Sequence, residues 1–423
     1  MKEDILQYIW QFQYFNGIEL HTTAGDVLQV IHPGTQNFDQ GPDFTNAKIK
    51  IAGTLWVGNV EIHVKASDWY SHHHSADSNY QNIILHVVWN NNRTVDNEGR
   101  NYFPTVELHD RVSKILLNKY RELMTASQFI PCEKQVQHVN ELVLSSWKQR
   151  LLAERLLAKS EKILLILKET NDHWEETFWR LIAANFGLTV NSNFFELLAR
   201  SVPITLLAKH KKSIHHLEAL LLGQAGLLKA TFKEQYPAML QKEFHFYQKK
   251  YQLQPVSGEA FFLRMRPANF PTIRLAQLAS LLHESEHLFS RIKSAALVKD
   301  VAQMLQVTAN DYWNYHYVFD EESPYRKKTL GRQMVYNIII NTIVPVIFSY
   351  GVYHDETIYK EKAVAWLEEI FPEKNKITKG FQTLGFSNKN AFDSQALIQL
   401  KNKYCNHKLC LHCAIGNAIL KKG

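Results

Sequence analysis

The chain has 423 residues, of which 45% are hydrophobic and 12% aromatic. This length exceeds what one hydrophobic core usually supports, so the composition predicts two or three globular domains and excludes a disordered chain. Residues 1–110 carry 6 Lys and Arg against 13 Asp and Glu, whereas residues 111–423 carry 42 against 28. This charge asymmetry suits a nuclease, in which carboxylates bind the metal and lysines and arginines attract phosphates. An ordinary helical protein with surplus lysines gives the same asymmetry more often.

Three features of the sequence predict the cellular compartment of the protein. The opening residues, MKEDILQYIWQFQY, lack the pattern of a signal or transit peptide, so a cytoplasmic protein is expected. Residues 335–353 are apolar but contain Asn337, Asn341 and Pro345, which predicts a buried helix and no membrane partner. The four cysteines are too few for a disulfide framework and indicate a reducing compartment.

Residues 1–110 have the pattern of a mixed α/β module. Apolar residues at helical spacing over residues 4–16 predict an opening helix. Short runs with two-residue alternation follow and predict strands over residues 27–34, 47–53, 55–65, 82–91 and 103–108. The polar residues 67–80 predict a loop with a helical turn.

From residue 112 onward helical periodicity dominates, interrupted by prolines and glycines. Residues 145–168 predict one long amphipathic helix capped by Ser145 or Ser146, and another helix is predicted to begin near Thr272. The predicted fold class is therefore α+β. It consists of an N-terminal mixed α/β sheet module, residues 1–110, and a large all-α region, residues 111–423.

A pattern of carboxylates and bases lies on two neighbouring predicted strands. Asp43 precedes one strand, and Glu61, His63 and Lys65 share one face of the next, which a hairpin would bring close to Asp43. Two carboxylates on adjacent strands suit a divalent cation, Mg²⁺ or Mn²⁺, and His63 or Lys65 would assist a catalytic water. The alternative is a solvated sheet edge, since the apolar residues on the opposite face suffice for a core.

Histidines are dense directly after this strand, and eight of the twenty fall in residues 1–110. His72, His74 and Asp77 are candidate ligands of Zn²⁺ or Mn²⁺ in the polar loop. A solvated turn is the alternative for this loop. His86, on the following strand, is expected to form a hydrogen bond in the core.

Two further clusters lie in the basic region. Arg264, Arg266 and Arg274 flank a proline-stiffened segment, where bidentate donors and a helix start would hold nucleic-acid phosphates, although structural arginines are commoner. Three thiols of spacing C-x4-C-x2-C stand near the chain's end, with one distant cysteine or His407 as fourth ligand. Such a set binds Zn²⁺ or an iron–sulfur cluster, and free packed thiols are the alternative. The four cysteines are Cys132, Cys405, Cys410 and Cys413.

Pro42-Asp43 and Glu61-Ile62-His63 resemble the motif of the PD-(D/E)XK nuclease superfamily, in which Pro-Asp precedes one strand and Glu-x-Lys lies on the next, within a helix and a three-stranded meander. The resemblance implies that Asp43 and Glu61 bind Mg²⁺ while a base polarises the water. His63 occupies the position of the motif lysine, and Lys65 follows two residues later on the same face of the predicted strand. Some members hold an iron–sulfur cluster through a terminal cysteine trio and a cysteine before the motif, whereas Cys132 follows it.

Six segments carry a wider similarity: GPDF (41–44), VGNVEIH (57–63), SDWYSHHHSAD (67–77), ILHVVW (84–89), FLRMRPANFPTIRLAQLA (262–279) and CNHKLCLHCAIG (405–416). They are similar to a family of uncharacterised bacterial proteins, common in Bacteroidetes, known as a domain of unknown function. This similarity covers nearly the entire chain and implies no activity.

The sequence therefore predicts a metal-dependent phosphodiesterase of the nuclease type that acts on nucleic acid. One alternative is a non-catalytic nucleic-acid-binding or scaffold protein with a nuclease-like fold. The other is a Zn²⁺- or Mn²⁺-dependent hydrolase of small molecules that uses the histidine-rich loop.

Overall fold

A computed structural model of the chain describes residues 1–421 except residues 73, 75, 76, 96–103 and 264. The chain forms two compact units: Met1–Trp147 with Leu400–Gly423, and Lys148–Gln399. The predicted division near residue 110 falls inside the first unit. The α+β class is confirmed, because an N-terminal mixed sheet is followed by a large helical region.

Most of the described strands belong to the first unit, and most of the described helices belong to the second. The strands are β1 (Leu28–His32), β2 (Thr35–Gln36), β3 (Phe44–Ile51), β4 (Thr54–Lys65), β5 (Ile83–Asn90), β6 (Thr105–Glu107), β7 (His316–Val318) and β8 (Glu321–Glu322). The helices are α1 (Glu3–Gln11), α2 (Asp68–Ser71), α3 (Lys114–Thr125), α4 (Glu141–Glu169), α5 (Trp174–Phe186), α6 (Leu188–Ser201), α7 (Ile204–His210), α8 (Ile214–Gln224), α9 (Gln235–Tyr251), α10 (Pro271–Glu284), α11 (Leu288–Ser294), α12 (Val298–Met304), α13 (Arg332–Ile338), α14 (Val344–Tyr353), α15 (Thr357–Glu369), α16 (Lys376–Thr383), α17 (Ala391–Gln399) and α18 (Ala414–Lys421).

The sheet of the first unit has the order β1-β3-β4-β5-β6, and β2 pairs with β3. Strands β1, β3 and β4 form an antiparallel meander, whereas β4, β5 and β6 run parallel. Strand β3 alternates between buried and exposed residues, and the first six residues of β5 are all buried, as expected of a strand covered on both faces. The predicted strands are therefore confirmed, and β4 is an interior strand with partners on both sides.

Two predicted helix boundaries were wrong for local reasons. The opening helix ends at Gln11, and Gln13 then adopts a left-handed conformation with φ of 53°, which ends the helical path. The long helix α4 begins at Glu141, before Ser145 and Ser146. Asn140 caps it instead, since its side-chain oxygen accepts a hydrogen bond from the backbone N–H of Leu142 at 2.8 Å.

The second unit is almost entirely helical, and its core is one large cluster of apolar side chains. Helix α10 lies at its centre, because every residue from Pro271 to Leu281 is buried. Its start at Pro271 agrees with the predicted start near Thr272, and proline suits the first helical position. The short antiparallel pair β7–β8 departs from the predicted all-α region.

Arg332–Tyr353 forms one 22-residue helical segment that is long and apolar enough to cross a membrane. Within the residues that the structure describes, 67% of its most apolar window is buried, and the core helix of a globular protein passes the same test. A π-helical turn, Ile339–Ile343, interrupts the segment just before Pro345. Proline lacks the N–H of a regular turn, which explains the widening at this place.

Candidate metal site in the first unit

Asp43 and Glu61 lie side by side at the β3–β4 pairing, where Phe44 is opposite Val60. The backbone N–H of Asp43 donates to Oε2 of Glu61 at 3.1 Å. The backbone N–H of Ile62 donates to Oδ2 of Asp43 at 3.0 Å. The structure thus brings the two predicted carboxylates together and fixes each through a main-chain amide.

Burial distinguishes the predicted polar residues of β4. Glu61 is 5% exposed and His63 is 1% exposed, so the solvated-edge alternative was wrong. The physical reason is that this face of the sheet is covered: β5 brings His86 beside His63, Trp69 packs on His63, and His74 lies against Glu61. Lys65 lies at the end of the strand with its side chain exposed. A buried strand face of this kind is costly unless its groups are paired or bind an ion.

Four imidazoles gather beside Glu61. Nδ1 of His63 lies 2.9 Å from Nε2 of His86, and Nε2 of His63 lies 3.2 Å from Nδ1 of His72. Nε2 of His74 lies 3.3 Å from Oε1 of Glu61. One nitrogen each of His63, His72 and His74 lies within 4.8 Å of the others, which is a spacing at which one ion contacts all three.

Two aromatic rings hold these histidines in place. Tyr80 stacks on His74 with ring centroids 3.9 Å apart. Trp69, which is 1% exposed, contacts the rings of His63, His74 and His86 at centroid distances of 6.3, 5.3 and 5.5 Å. The rings of Trp69 and Tyr80 therefore pack on the imidazoles and fix the positions of their nitrogen donors.

Two buried nitrogens of this group lack a hydrogen bond. Among the residues that the structure describes, Nε2 of His74 and Nδ1 of His86 have no hydrogen-bond partner, although Glu61 is near the first of them. An unsatisfied buried polar atom costs about 1–3 kcal/mol. A bound cation would remove this cost at His74, whose nitrogen faces the carboxylate.

The pKa values of the site show that its charges are uncompensated. Burial and then Glu61 raise the pKa of Asp43 to about 8, and the same causes raise the pKa of Glu3 to about 7. Burial and then the neighbouring imidazoles lower the pKa of His63 to about 2, and burial with His74 lowers that of His86 to about 3. Carboxylates that repel and imidazoles that stay neutral are the donors a cation needs.

Sequence reasoning missed three residues of this site. Glu3 interacts electrostatically with Glu61, and Nε2 of Gln7 donates to Oδ1 of Asp43 at 2.7 Å. Their signal was a polar pair at i and i+4 on an otherwise apolar, buried face of α1. His86 was expected to form a hydrogen bond in the core, and this is confirmed, since it is fully buried and its Nε2 lies 2.9 Å from Nδ1 of His63; only its membership of the site was missed.

The remaining predicted residues lie in different surroundings. Asp77 caps a short helical turn, since its Oδ1 accepts from the backbone N–H of Asn79 at 2.9 Å. Arg264 lies outside the described residues, and Arg266 is exposed. Arg274 is 7% exposed and donates to side-chain oxygens of Gln277 and Asn269, at 2.9 and 2.6 Å.

The fold and the site define an α+β protein that carries a cluster of carboxylates and histidines on one mixed sheet. The chain belongs to the family described as "Protein of unknown function (DUF2851)", which matches residues 3–376. Neither the curated proteins nor the solved structures contain a match to this chain.

Proposed function

We propose that this protein is a metal-dependent phosphodiesterase of the nuclease type. The observation that carries the proposal is the position of Glu61: main-chain amides hold its carboxylate beside Asp43, and its Oε1 lies 3.7 Å from Nε2 of His63 and 3.3 Å from Nε2 of His74, two imidazoles that cluster with His72. The sequence predicted two separate metal sites, and the closeness of Glu61 to His74 supports treating the acidic strand pair and the histidine loop as one site.

The strand arrangement supports the nuclease-like part of the proposal. Helix α1 precedes an antiparallel meander of β1, β3 and β4; Asp43 directly precedes β3, and Glu61 stands on β4. A helix followed by a three-stranded meander is what the resemblance to the PD-(D/E)XK superfamily implies. The four-histidine group is the departure, and it indicates a cation that accepts nitrogen ligands.

The donor set favours Mn²⁺ over Mg²⁺. Mg²⁺ prefers oxygen ligands in regular octahedral geometry, whereas Mn²⁺ and Zn²⁺ accept imidazole beside carboxylate. Asp43 and Glu61 would supply oxygens to the ion, and His63, His72 and His74 would supply nitrogens. Bound there, the ion would supply Lewis-acid chemistry at the phosphate and a lowered pKa for a coordinated water.

The remaining catalytic roles, proton exchange and orientation of the metal ligands, fall to histidines of the protein. In hydrolysis of a phosphodiester, the water oxygen bonds to phosphorus, one ester bond breaks, and the leaving oxygen takes up a proton. His72 is exposed, so it is the imidazole of the group that can exchange protons with solvent. His63 and His86 are buried with lowered pKa values, so both stay neutral; His63 would bind the ion, and His86 orients His63 from a distance of 2.9 Å.

A basic cleft in the second unit supports nucleic acid as the partner. Arg274 is buried, its two hydrogen-bond acceptors are uncharged amide oxygens, and its Nε has no partner among the described residues. Lys328 is 4% exposed in the same cleft, and its Nζ donates to the carbonyl of Arg326. Exposed Arg326 and Lys327 complete the lining cations. Buried cations without carboxylates favour an anionic ligand such as phosphate.

We expect Lys327→Ala to weaken binding of a single-stranded oligonucleotide equally across sequences and to lower the salt slope by about one unit, because one phosphate contact is lost. Fluorescence anisotropy at several salt concentrations measures this slope. Lys360→Ala is the matched control, because Lys360 already pairs with Asp355 at 3.1 Å and should leave the slope unchanged. An unchanged slope in Lys327→Ala would remove this cleft from the proposal.

The decisive experiment is cleavage of DNA and RNA by the wild-type chain with Mn²⁺ and with EDTA. We expect cleavage only with the metal, and a loss on the order of 100-fold or more in Asp43→Asn, since removing a charged ligand costs more than a supporting contact does. Asp110→Asn is the matched control, because that carboxylate is 95% exposed in the same unit and should retain activity. Full activity in Asp43→Asn would refute the assignment.

Two other outcomes identify the alternatives. The exposed imidazole of His72 beside two buried ones also suits a Zn²⁺- or Mn²⁺-dependent hydrolase of small molecules. Turnover of a small phosphodiester such as bis(p-nitrophenyl) phosphate, without cleavage of any nucleic acid, would favour that function. Oligonucleotide binding without hydrolysis of either substrate would favour a non-catalytic nucleic-acid-binding protein.

A further inference from the structure

We propose that Cys132, Cys405, Cys410 and Cys413 hold a four-iron iron–sulfur cluster that fastens the terminal segment, residues 400–421, within the first unit. This site is separate from the carboxylate and histidine group, and the inference does not depend on the proposed function. It rests on convergence of the chain's only four cysteines, on the spacing of their sulfur atoms and on the donors around them.

The four thiols converge although Cys132 is distant in sequence from the other three. Helix α18, which begins directly after Cys413, contacts the turn Val136–His138 that follows Cys132, and electrostatic interactions link every pair of the four thiols. Cys132, Cys410 and Cys413 are buried, Cys405 is partly buried, and all four are free of disulfides. Chance convergence of every cysteine in a chain of this length is improbable, and soft sulfur donors in one place are the usual ligand set of zinc or iron–sulfur centres.

The spacing of the sulfur atoms favours a cluster over a single ion. Zinc bound by four thiolates at about 2.3 Å would hold the sulfurs about 3.8 Å apart. Among the described residues, no three cysteine sulfurs lie within 4.8 Å of one another, although all four interact. Sulfurs around a four-iron cluster stand further apart, because each one binds a different iron.

Polar N–H groups surround one sulfur. The backbone amides of Ile415 and Gly416 and the indole of Trp147 lie close to the sulfur of Cys413 and oppose the rise in its pKa that burial causes. Amide donors of this kind stabilise cluster-bound thiolates and set their reduction potential. Gly416 also lies directly against the carbonyl of Cys410, where an added Cβ would be 2.1 Å from the oxygen, so glycine is required to bring the two cysteines close.

The local charges complete the site. Lys401 lies near Cys405 and Lys408 lies near Cys410, so each lysine offsets part of the negative charge that bound thiolates carry.

His407 is the competing fourth ligand and serves as the matched control. Its side chain is exposed in the loop between Cys405 and Cys410. We expect protein purified without oxygen to be brown and to contain about four irons and four acid-labile sulfides per chain. His407→Ala should retain both, whereas Cys410→Ser and Cys132→Ser should each lose most of the iron and sulfide.

The wild-type analysis decides the proposal even if a cysteine variant does not fold. One zinc per chain without sulfide, or no iron and sulfide after reconstitution with ferrous iron and sulfide, would overturn it. Limited proteolysis provides a second measurement on the folded wild type. Removing the cluster with a chelator and an oxidant should expose residues 400–421 to cleavage, and an unchanged digestion pattern would contradict the fastening role.

Discussion

Mn²⁺ is expected to raise the thermal stability of the wild-type first unit, and Glu61→Gln is expected to abolish the increase. An ion that binds only the folded state stabilises it by about 2.7 kcal/mol at a hundredfold excess over its dissociation constant. For a unit of this size, that corresponds to a rise of roughly 5–10 °C in Tm. Differential scanning calorimetry with and without Mn²⁺ measures the shift.

The metal-free protein should respond to the same substitution in the opposite sense. Glu61 is buried and raises the pKa of Asp43, so its carboxylate destabilises the metal-free fold. Glu61→Gln should therefore have a metal-free Tm equal to or above that of the wild type. Asp110→Asn should keep the wild-type response to Mn²⁺, because its carboxylate is exposed. A full Mn²⁺ shift in Glu61→Gln would place the ion elsewhere.

Glu218→Gln is expected to make the stability of the second unit less dependent on pH. Glu218 is fully buried and accepts hydrogen bonds from Tyr236 Oη at 2.7 Å, from Asn310 Nδ2 at 2.7 Å and from Trp313 Nε1 at 3.1 Å. Burial raises the pKa of this carboxyl to about 7, although the three donors oppose the rise. The folded state therefore binds the proton more tightly than the unfolded state does.

The direction of the pH dependence follows from this raised pKa. The contribution of protonated Glu218 to stability is fully present below the unfolded pKa, about 4.3, and is lost as the pH rises through about 7. The loss amounts to about 3 kcal/mol between pH 4 and pH 8. Urea unfolding followed by tryptophan fluorescence should show this decline in the wild type and a shallower decline in Glu218→Gln. Exposed Glu321→Gln is the control, and identical pH profiles for Glu218→Gln and wild type would contradict the assignment.

The strands of the first unit and the approach of Asp43 to Glu61 were predictable because both depend on local patterns. Two-residue alternation defines β3 and β4, and a two-residue turn between them, Ala52 and Gly53, makes their pairing antiparallel. The burial of His63 was not predictable in the same way. It depends on β5, which lies 18 residues further along the chain and pairs in parallel with β4.

Residues from distant elements were the ones that sequence reasoning missed. Glu3 and Gln7 reach the site only because α1 packs on the sheet, and no periodicity within α1 specifies that contact. His86 looked like an ordinary core histidine, because its contact with His63 comes from strand pairing. Convergence of Cys132 with the terminal cysteines was predictable from their number alone, since no other cysteine was present.

The path of the chain between the two units has a consequence for synthesis. The polypeptide leaves the first unit at Trp147 and returns to it at Leu400, after the whole second unit has been made. At about 5–20 residues per second, Cys405 leaves the ribosome roughly 15–55 seconds after Cys132. The contiguous second unit can thus fold during translation. The first unit stays incomplete until residues 400–421, which contain the other three cysteines, have been synthesised.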